Sequence, residues 1–176
     1  MPTTGCGTSD WLKTGRASVA VSGTTRDYIL RIPDNYDTSR LYKLIFGFHA
    51  RGGNATQVAG STDGRDIAFV KAMLAHFSSA LCFDQRKIFS VGFSFGGMMS
   101  DAIGCAMADV FRAIAPMAGG IPNAEHPYSG CDQVNMHPIA VWMAHGDNAP
   151  RCRPRTARRR WISSSSGPSV NRRPCR

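Results

Sequence analysis

The sequence lacks long apolar runs, internal repeats and metal-binding cysteine spacings. No apolar stretch approaches the ~20 residues that a bilayer-spanning helix requires, so no association with a membrane is expected. Neither C-x-x-C nor C-x-x-H occurs, which argues against a structural zinc site. Met1 to Cys6 has neither a basic start nor an apolar core, so the chain as given is expected to carry no signal peptide.

Acidic residues are absent from the last part of the chain, and this absence explains the net charge of +9. Residues 150–176 hold nine Arg and no Lys, Asp, Glu or His, whereas residues 1–149 are balanced. Such a composition is typical of a solvated, disordered extension. Binding of phosphates by these arginines is the alternative, but no aromatic stacking platform accompanies them, so a nucleic-acid partner is not expected. The predicted organisation is a domain over 1–149 and a disordered basic tail over 150–176.

Six cysteines are present in 176 residues, which fits an oxidising compartment. Their pairing stays open at this point, because the sequence alone does not fix the connectivity. Asn54-Ala55-Thr56 is an acceptor sequence for N-glycosylation and is consistent with secretion.

Alternating patterns along the chain predict an α/β fold with a mainly parallel sheet. A continuous apolar run at 44–48 predicts a strand that is covered on both faces. Apolar residues recur at helical spacing between 66 and 79. The other predicted strands are 28–32, 87–92, 113–117 and 139–143, and a second helix is predicted over 97–108.

Residues 92–96 read Gly-Phe-Ser-Phe-Gly and stand between a β-prone run and the second predicted helix. A G-x-S-x-G pattern at a strand-to-helix turn is the nucleophile elbow of α/β-hydrolases, in which a sharp bend exposes the serine hydroxyl. Ser94 is therefore the predicted nucleophile. The alternative is an ordinary glycine-rich turn between a strand and a helix.

Acyl transfer also needs donors for the oxyanion. The segment 49–53, His-Ala-Arg-Gly-Gly, follows the buried strand at the place where a hydrolase has its first oxyanion loop. We predict that the main-chain N–H groups of Arg51 and Phe95 are these donors. The alternative is a plain turn in which His49 hydrogen-bonds to the backbone.

The segments 45–49, 51–53, 64–74, 91–99 and 113–120 resemble the secreted fungal feruloyl esterases of type C. These are relatives of the polyhydroxybutyrate depolymerase-like esterases in carbohydrate esterase family one. The resemblance covers about 4–148 and implies a secreted α/β-hydrolase with Ser94 as nucleophile and no cofactor. It implies feruloylated arabinoxylan or small phenolic esters as substrates, in the degradation of plant cell-wall xylan.

One departure from the family pattern is a short connection. Only sixteen residues, 50–65, separate His49 from the helix predicted to start at Asp66. A parallel crossover with its own helix and strand needs roughly thirty residues. We therefore expect the fold to lack one internal βα unit, whose strand would lie beside the strand at 44–48 and whose loss would expose an apolar edge.

A second departure concerns the triad. The family carries its acid in an H-G-x-x-D pattern, and Ala149 stands where that acid belongs. Asp147, two positions earlier, is the candidate replacement, and a solvated turn residue is the alternative interpretation. No histidine follows His145, so the catalytic base is unassigned and each histidine is expected to be structural or exposed.

The resemblance stops at Pro150, so the C-terminal part of the fold is expected to be missing, and a shifted reading frame or an incorrect gene model is one hypothesis for its origin. Cys6 is expected to have lost its disulfide partner.

Three functions follow from these observations. The first is a serine carboxylic ester hydrolase of the feruloyl esterase kind, with activity impaired by the incomplete triad. The second is a non-catalytic remnant that binds a glycan or an aromatic ligand. The third is a polyanion binder that acts through its basic tail. The sequence favours the first.

Overall fold

The computed structural model describes residues 1–50, 65–119 and 137–146. Arg51, Asp147, the expected gap near 60–63 and the tail 150–176 therefore lie outside the described residues. The described elements are the strands Gly15–Val21 (β1), Thr24–Leu30 (β2), Tyr42–Phe48 (β3), Phe83–Phe93 (β4), Ala113–Met117 (β5) and Ala140–Val141 (β6), and the helices Arg65–Ala80 (α1) and Phe95–Ala106 (α2).

Four of the strands form a parallel sheet in the order β3-β4-β5-β6. The register places Phe46 beside Ser90 and Ser90 beside Ile114. α1 connects β3 to β4, and α2 connects β4 to β5, as parallel neighbours require. The predicted α/β fold with a parallel sheet is confirmed. The elbow strand is longer than predicted because β4 starts at Phe83.

β1 and β2 form a separate antiparallel hairpin. Its two-residue turn places Ser22 and Gly23 at φ 49° and φ 78°. Positive φ at both central residues matches the right-handed twist of the flanking strands, which is why such turns dominate tight hairpins. The sequence pattern predicts part of β2 but not β1, although alternate residues of β1 are half-buried.

Both helices pack on the same face of the parallel sheet. The Phe77 ring of α1 lies 6.0 Å from the Phe46 ring, and the Ser100 hydroxyl of α2 lies 2.8 Å from that of Ser90. Ile45, one residue from Phe46 and therefore on the other face, is 62% exposed. The expectation that the strand at 44–48 is covered on both faces is wrong for the described residues, because both described helices lie on one side.

No described strand pairs with the outer edge of β3, which is the first strand of the sheet. A groove of about 1490 Å³ separates this edge from β2, and Phe69 and Met73 of α1 contribute to its lining. An unpaired edge of apolar sequence fits the expected absence of a strand beside 44–48. In the described part of the chain, the fold is therefore an incomplete α/β sheet.

The first residues of the chain are tied to the start of β4. Cys6 forms a disulfide with Cys82, so the expectation that Cys6 has lost its partner is wrong. Thr3 donates its hydroxyl to the Leu81 carbonyl at 2.5 Å. Cys105 is also disulfide-bonded. Three disulfide-bonded cysteines among the described residues agree with the predicted oxidising compartment.

Replacing Cys6 by serine should lower the free energy of unfolding by about 4 kcal/mol, because the disulfide closes a loop whose ends are 76 residues apart. Urea titration followed by circular dichroism measures the change. With a reductant present in both samples, wild type and variant should unfold at the same urea concentration, because neither then has the Cys6–Cys82 cross-link. An unchanged midpoint for Cys6→Ser would show that the cross-link does not stabilise the fold.

Candidate functional site

Ser94 lies at a sharp bend between β4 and α2, with φ 56° and ψ −117°. A non-glycine residue in this region costs about 1–3 kcal/mol and persists only where its surroundings hold it. Ser94 is half-buried, and its side chain makes no capping hydrogen bond to α2. The strand-to-helix bend that the sequence predicts is therefore present, and it is strained at the serine itself.

Main-chain hydrogen bonds hold the bend on both sides. The Ser94 N–H donates to the Met117 carbonyl at the end of β5, at 2.9 Å. The Ser94 carbonyl accepts the Met98 N–H at 3.0 Å, which is the first turn of α2. The serine is thereby fixed to the carboxyl end of the sheet and to the start of the helix.

Glycines let the first turn of α2 approach the ends of two strands. A methyl group on Gly96 would overlap the Phe48 carbonyl at the end of β3. A methyl group on Gly97 would stand 2.8 Å from the Met117 carbonyl oxygen. Such main-chain contacts leave no room for a side chain. They place Ser94 between β3 and β5 at the carboxyl edge of the sheet.

The oxyanion donors predicted from the sequence are placed only in part. Phe95 is the first residue of α2, and the N-terminus of a helix carries a partial positive charge that favours an anion. The contact between Gly96 and the Phe48 carbonyl brings the start of the predicted oxyanion loop next to this turn. Arg51 lies outside the described residues, so the second donor is not placed.

Three of the described histidines contact groups other than Ser94, and the fourth, His137, is exposed. His49 donates Nδ1–H to the Ala50 carbonyl at 2.7 Å, and its buried Nε2 has no hydrogen-bond partner among the described residues. His145 contacts the Gly119 carbonyl through Nε2 at 2.8 Å. His76 packs edge-on against the Tyr28 ring at 6.5 Å. Within 1–50, 65–119 and 137–146, therefore, no histidine is hydrogen-bonded to Ser94.

The sequence pattern does not predict the bend that the chain makes at Ala118. Ala118 has φ 48°, and its N–H donates to the Ala144 carbonyl at 2.8 Å. Gly119 follows it and packs against Gly97 of α2. The signal in the sequence was the Ala-Gly-Gly run directly after the predicted strand 113–117, which is typical of a chain that needs unusual φ angles.

No group of three His, Cys, Asp or Glu side chains that could hold a metal ion occurs among the described residues. Neither of the two described helices combines the length and the apolar content of a bilayer-crossing segment.

The chain was compared with protein-family models, with curated proteins and with solved structures. No protein-family model matches the chain. The probable feruloyl esterase C of Aspergillus niger is 35% identical over 177 residues, which covers 83% of this chain and 62% of the relative. Feruloyl esterase C of Emericella nidulans is 36% identical with the same coverage. The chain thus spans about three fifths of the curated relatives it matches.

The alignment is 177 positions long but includes only 83% of the 176 residues of this chain. The remaining positions are gaps in this chain, so the relatives contain residues that have no counterpart here. Among solved structures, a CE1 ferulic acid esterase from Anaeromyces mucronatus, in complex with ferulic acid, superposes with a TM-score of 0.55 and 13% identity. This match covers 78% of this chain and 73% of that chain. At this identity the likeness shows the fold alone, which is of the α/β-hydrolase type.

Replacing Gly96 by alanine should lower the free energy of unfolding by about 3 kcal/mol, because the new methyl group overlaps the main chain of β3. Gly47 is the matched control, since it lies in β3 with nothing within 4 Å of an added methyl group. Gly47→Ala should change stability by less than about 0.5 kcal/mol. Thermal unfolding measures both variants, and equal melting temperatures would contradict the close approach at Gly96.

Proposed function

We propose that this chain is a relative of the fungal type C feruloyl esterases and a serine carboxylic ester hydrolase acting on feruloylated arabinoxylan or small phenolic esters. The observation that carries the proposal is the strained bend at Ser94. A hydroxyl at such a bend, at the carboxyl edge of a parallel sheet, is the arrangement of a nucleophile elbow.

The reaction is acyl transfer in two steps. Ser94 Oγ bonds to the ester carbonyl carbon, and the alcohol leaves with the proton that the serine gives up. Water then attacks the feruloyl-serine ester, releases ferulic acid and returns the proton to Ser94. Both steps pass through a tetrahedral oxyanion, which the main-chain N–H groups of Phe95 and Arg51 would stabilise. The positive end of α2 adds to this stabilisation because Phe95 is its first residue.

We expect the rate of the reaction to be limited by proton transfer to and from Ser94. Asp147 is the proposed acid of the triad, and the base remains unassigned. An oxyanion hole and substrate binding alone leave a ~10³–10⁴-fold acceleration over water when triad members are removed. We therefore propose an esterase of low turnover, in which Ser94 is acylated slowly.

The proposed setting is extracellular. The Cys6–Cys82 disulfide and the disulfide-bonded Cys105 support an oxidising environment. The resemblance to secreted feruloyl esterases supports the same setting. The proposed reaction requires no cofactor, and a nucleic-acid partner is not part of this proposal.

Replacing Ser94 by alanine should abolish labelling by a fluorophosphonate and reduce hydrolysis of methyl ferulate below the wild-type rate, because labelling and acyl transfer both need the serine oxygen. Release of ferulic acid measured by chromatography, and mass spectrometry of the labelled peptide, follow the two reactions.

Ser79→Ala is the matched control, since Ser79 is exposed on α1 and its hydroxyl only contacts the His76 carbonyl. This variant should retain the wild-type rate and label. Equal hydrolysis by wild type and Ser94→Ala would reject the nucleophile. A folded wild-type protein that takes up no label would reject the proposed nucleophile and favour the alternative, a non-catalytic protein that binds a glycan or an aromatic ligand.

A further inference from the structure

We infer that His145 is a positioning residue for Ser94, acting through the bend at Ala118 and Gly119; this inference rests on the proposed function of Ser94. His145 lies beyond β6, and its Nε2 is 2.8 Å from the Gly119 carbonyl oxygen. Because a carbonyl oxygen only accepts, the ring must donate Nε2–H in this contact. The His145 imidazole therefore donates its Nε2–H to the main chain at Gly119.

Gly119 transmits this contact to the start of α2. It is buried, and a methyl group on it would stand 2.9 Å from the Gly97 carbonyl carbon and 3.0 Å from the Met98 nitrogen. The Gly119 main chain therefore packs directly against the helical turn that follows Ser94. A shift of Gly119 has to move this turn or open a gap beside it.

The same segment holds the Ser94 amide. Met117, two residues before Gly119, accepts the Ser94 N–H at 2.9 Å. Between them, Ala118 donates its N–H to the Ala144 carbonyl at 2.8 Å. Ala144 and His145, neighbours in sequence, thus anchor the two residues that follow the acceptor of the Ser94 amide.

Strain explains why the anchor matters. Ser94 and Ala118 are both non-glycine residues at positive φ, 56° and 48°, and they are linked through the Ser94–Met117 hydrogen bond. Each such residue tends to relax unless its surroundings hold it. The His145 hydrogen bond acts on the Ala118 bend from outside the strained segment, so its loss lets that bend relax and with it the Ser94 amide.

Two substitutions at His145 distinguish the contribution of the N–H donor from that of the imidazole ring. His145→Gln keeps an N–H donor at the end of a chain of similar reach, whereas His145→Leu keeps bulk without a donor. We expect fluorophosphonate labelling of Ser94 to be roughly three- to tenfold slower in His145→Leu, the effect of one lost hydrogen bond. His145→Gln should label within about twofold of wild type.

A second readout does not depend on reactivity. Amide hydrogen exchange at Ser94 should be faster in His145→Leu, because its N–H bond to Met117 opens more often, and near wild type in His145→Gln. His76→Leu is the control for loss of a histidine elsewhere, since His76 packs in α1 against Tyr28. It should leave both the labelling rate and the exchange at Ser94 unchanged, even where the melting temperature falls.

Equal labelling and equal exchange in wild type and His145→Leu would overturn the inference. Slow labelling in both His145 variants would also overturn it, because the ring itself would then be required. If the wild-type protein takes up no label at all, the proposed function fails, and exchange at Ser94 still decides the positioning role: faster exchange in His145→Leu alone supports it, and unchanged exchange rejects it.

Discussion

The close approach of the first turn of α2 to the ends of β3 and β5 is the constraint on which the site depends. Gly96 lies against the Phe48 carbonyl and Gly97 against the Met117 carbonyl, so neither position has space for a side chain. This approach forces the chain to reverse within one residue, and Ser94 takes a conformation that non-glycine residues rarely adopt. The strain at the serine is thus a consequence of main-chain packing, and β5 stabilises it by accepting the Ser94 amide.

Among the described residues, helices cover only one face of the surrounding sheet. Both helices lie on the face that carries Phe46 and Ser90, while Ile45 on the opposite face is largely exposed. Parallel sheets are normally covered on both faces, since their strands are apolar throughout. The outer edge of β3 also faces a groove. The described residues therefore support the elbow itself, but they form only part of the sheet environment expected of an α/β-hydrolase.

Much of the fold could be predicted because periodicity is local. The apolar spacing between 66 and 79 gave α1 within a residue at each end, and the run at 113–117 gave β5. β1 was missed because its alternation is carried by small residues such as Ala17. The bend at Ala118 was missed because alanine carries no sign of positive φ, and only the glycines after it hint at a turn.

By itself, the sequence determined the order of the helices and of the strands from β2 onward, the bend at Ser94 and the resemblance to feruloyl esterases, because these depend on short-range pattern and on the residues that match known esterases. Tertiary structure decided which groups meet at that bend. That Met117 holds the serine amide, that Gly119 packs on Gly97 and that His145 reaches the Gly119 carbonyl are contacts between segments distant in the chain. Spacing in sequence does not encode them, since they arise only when parallel strands bring their carboxyl ends to one edge.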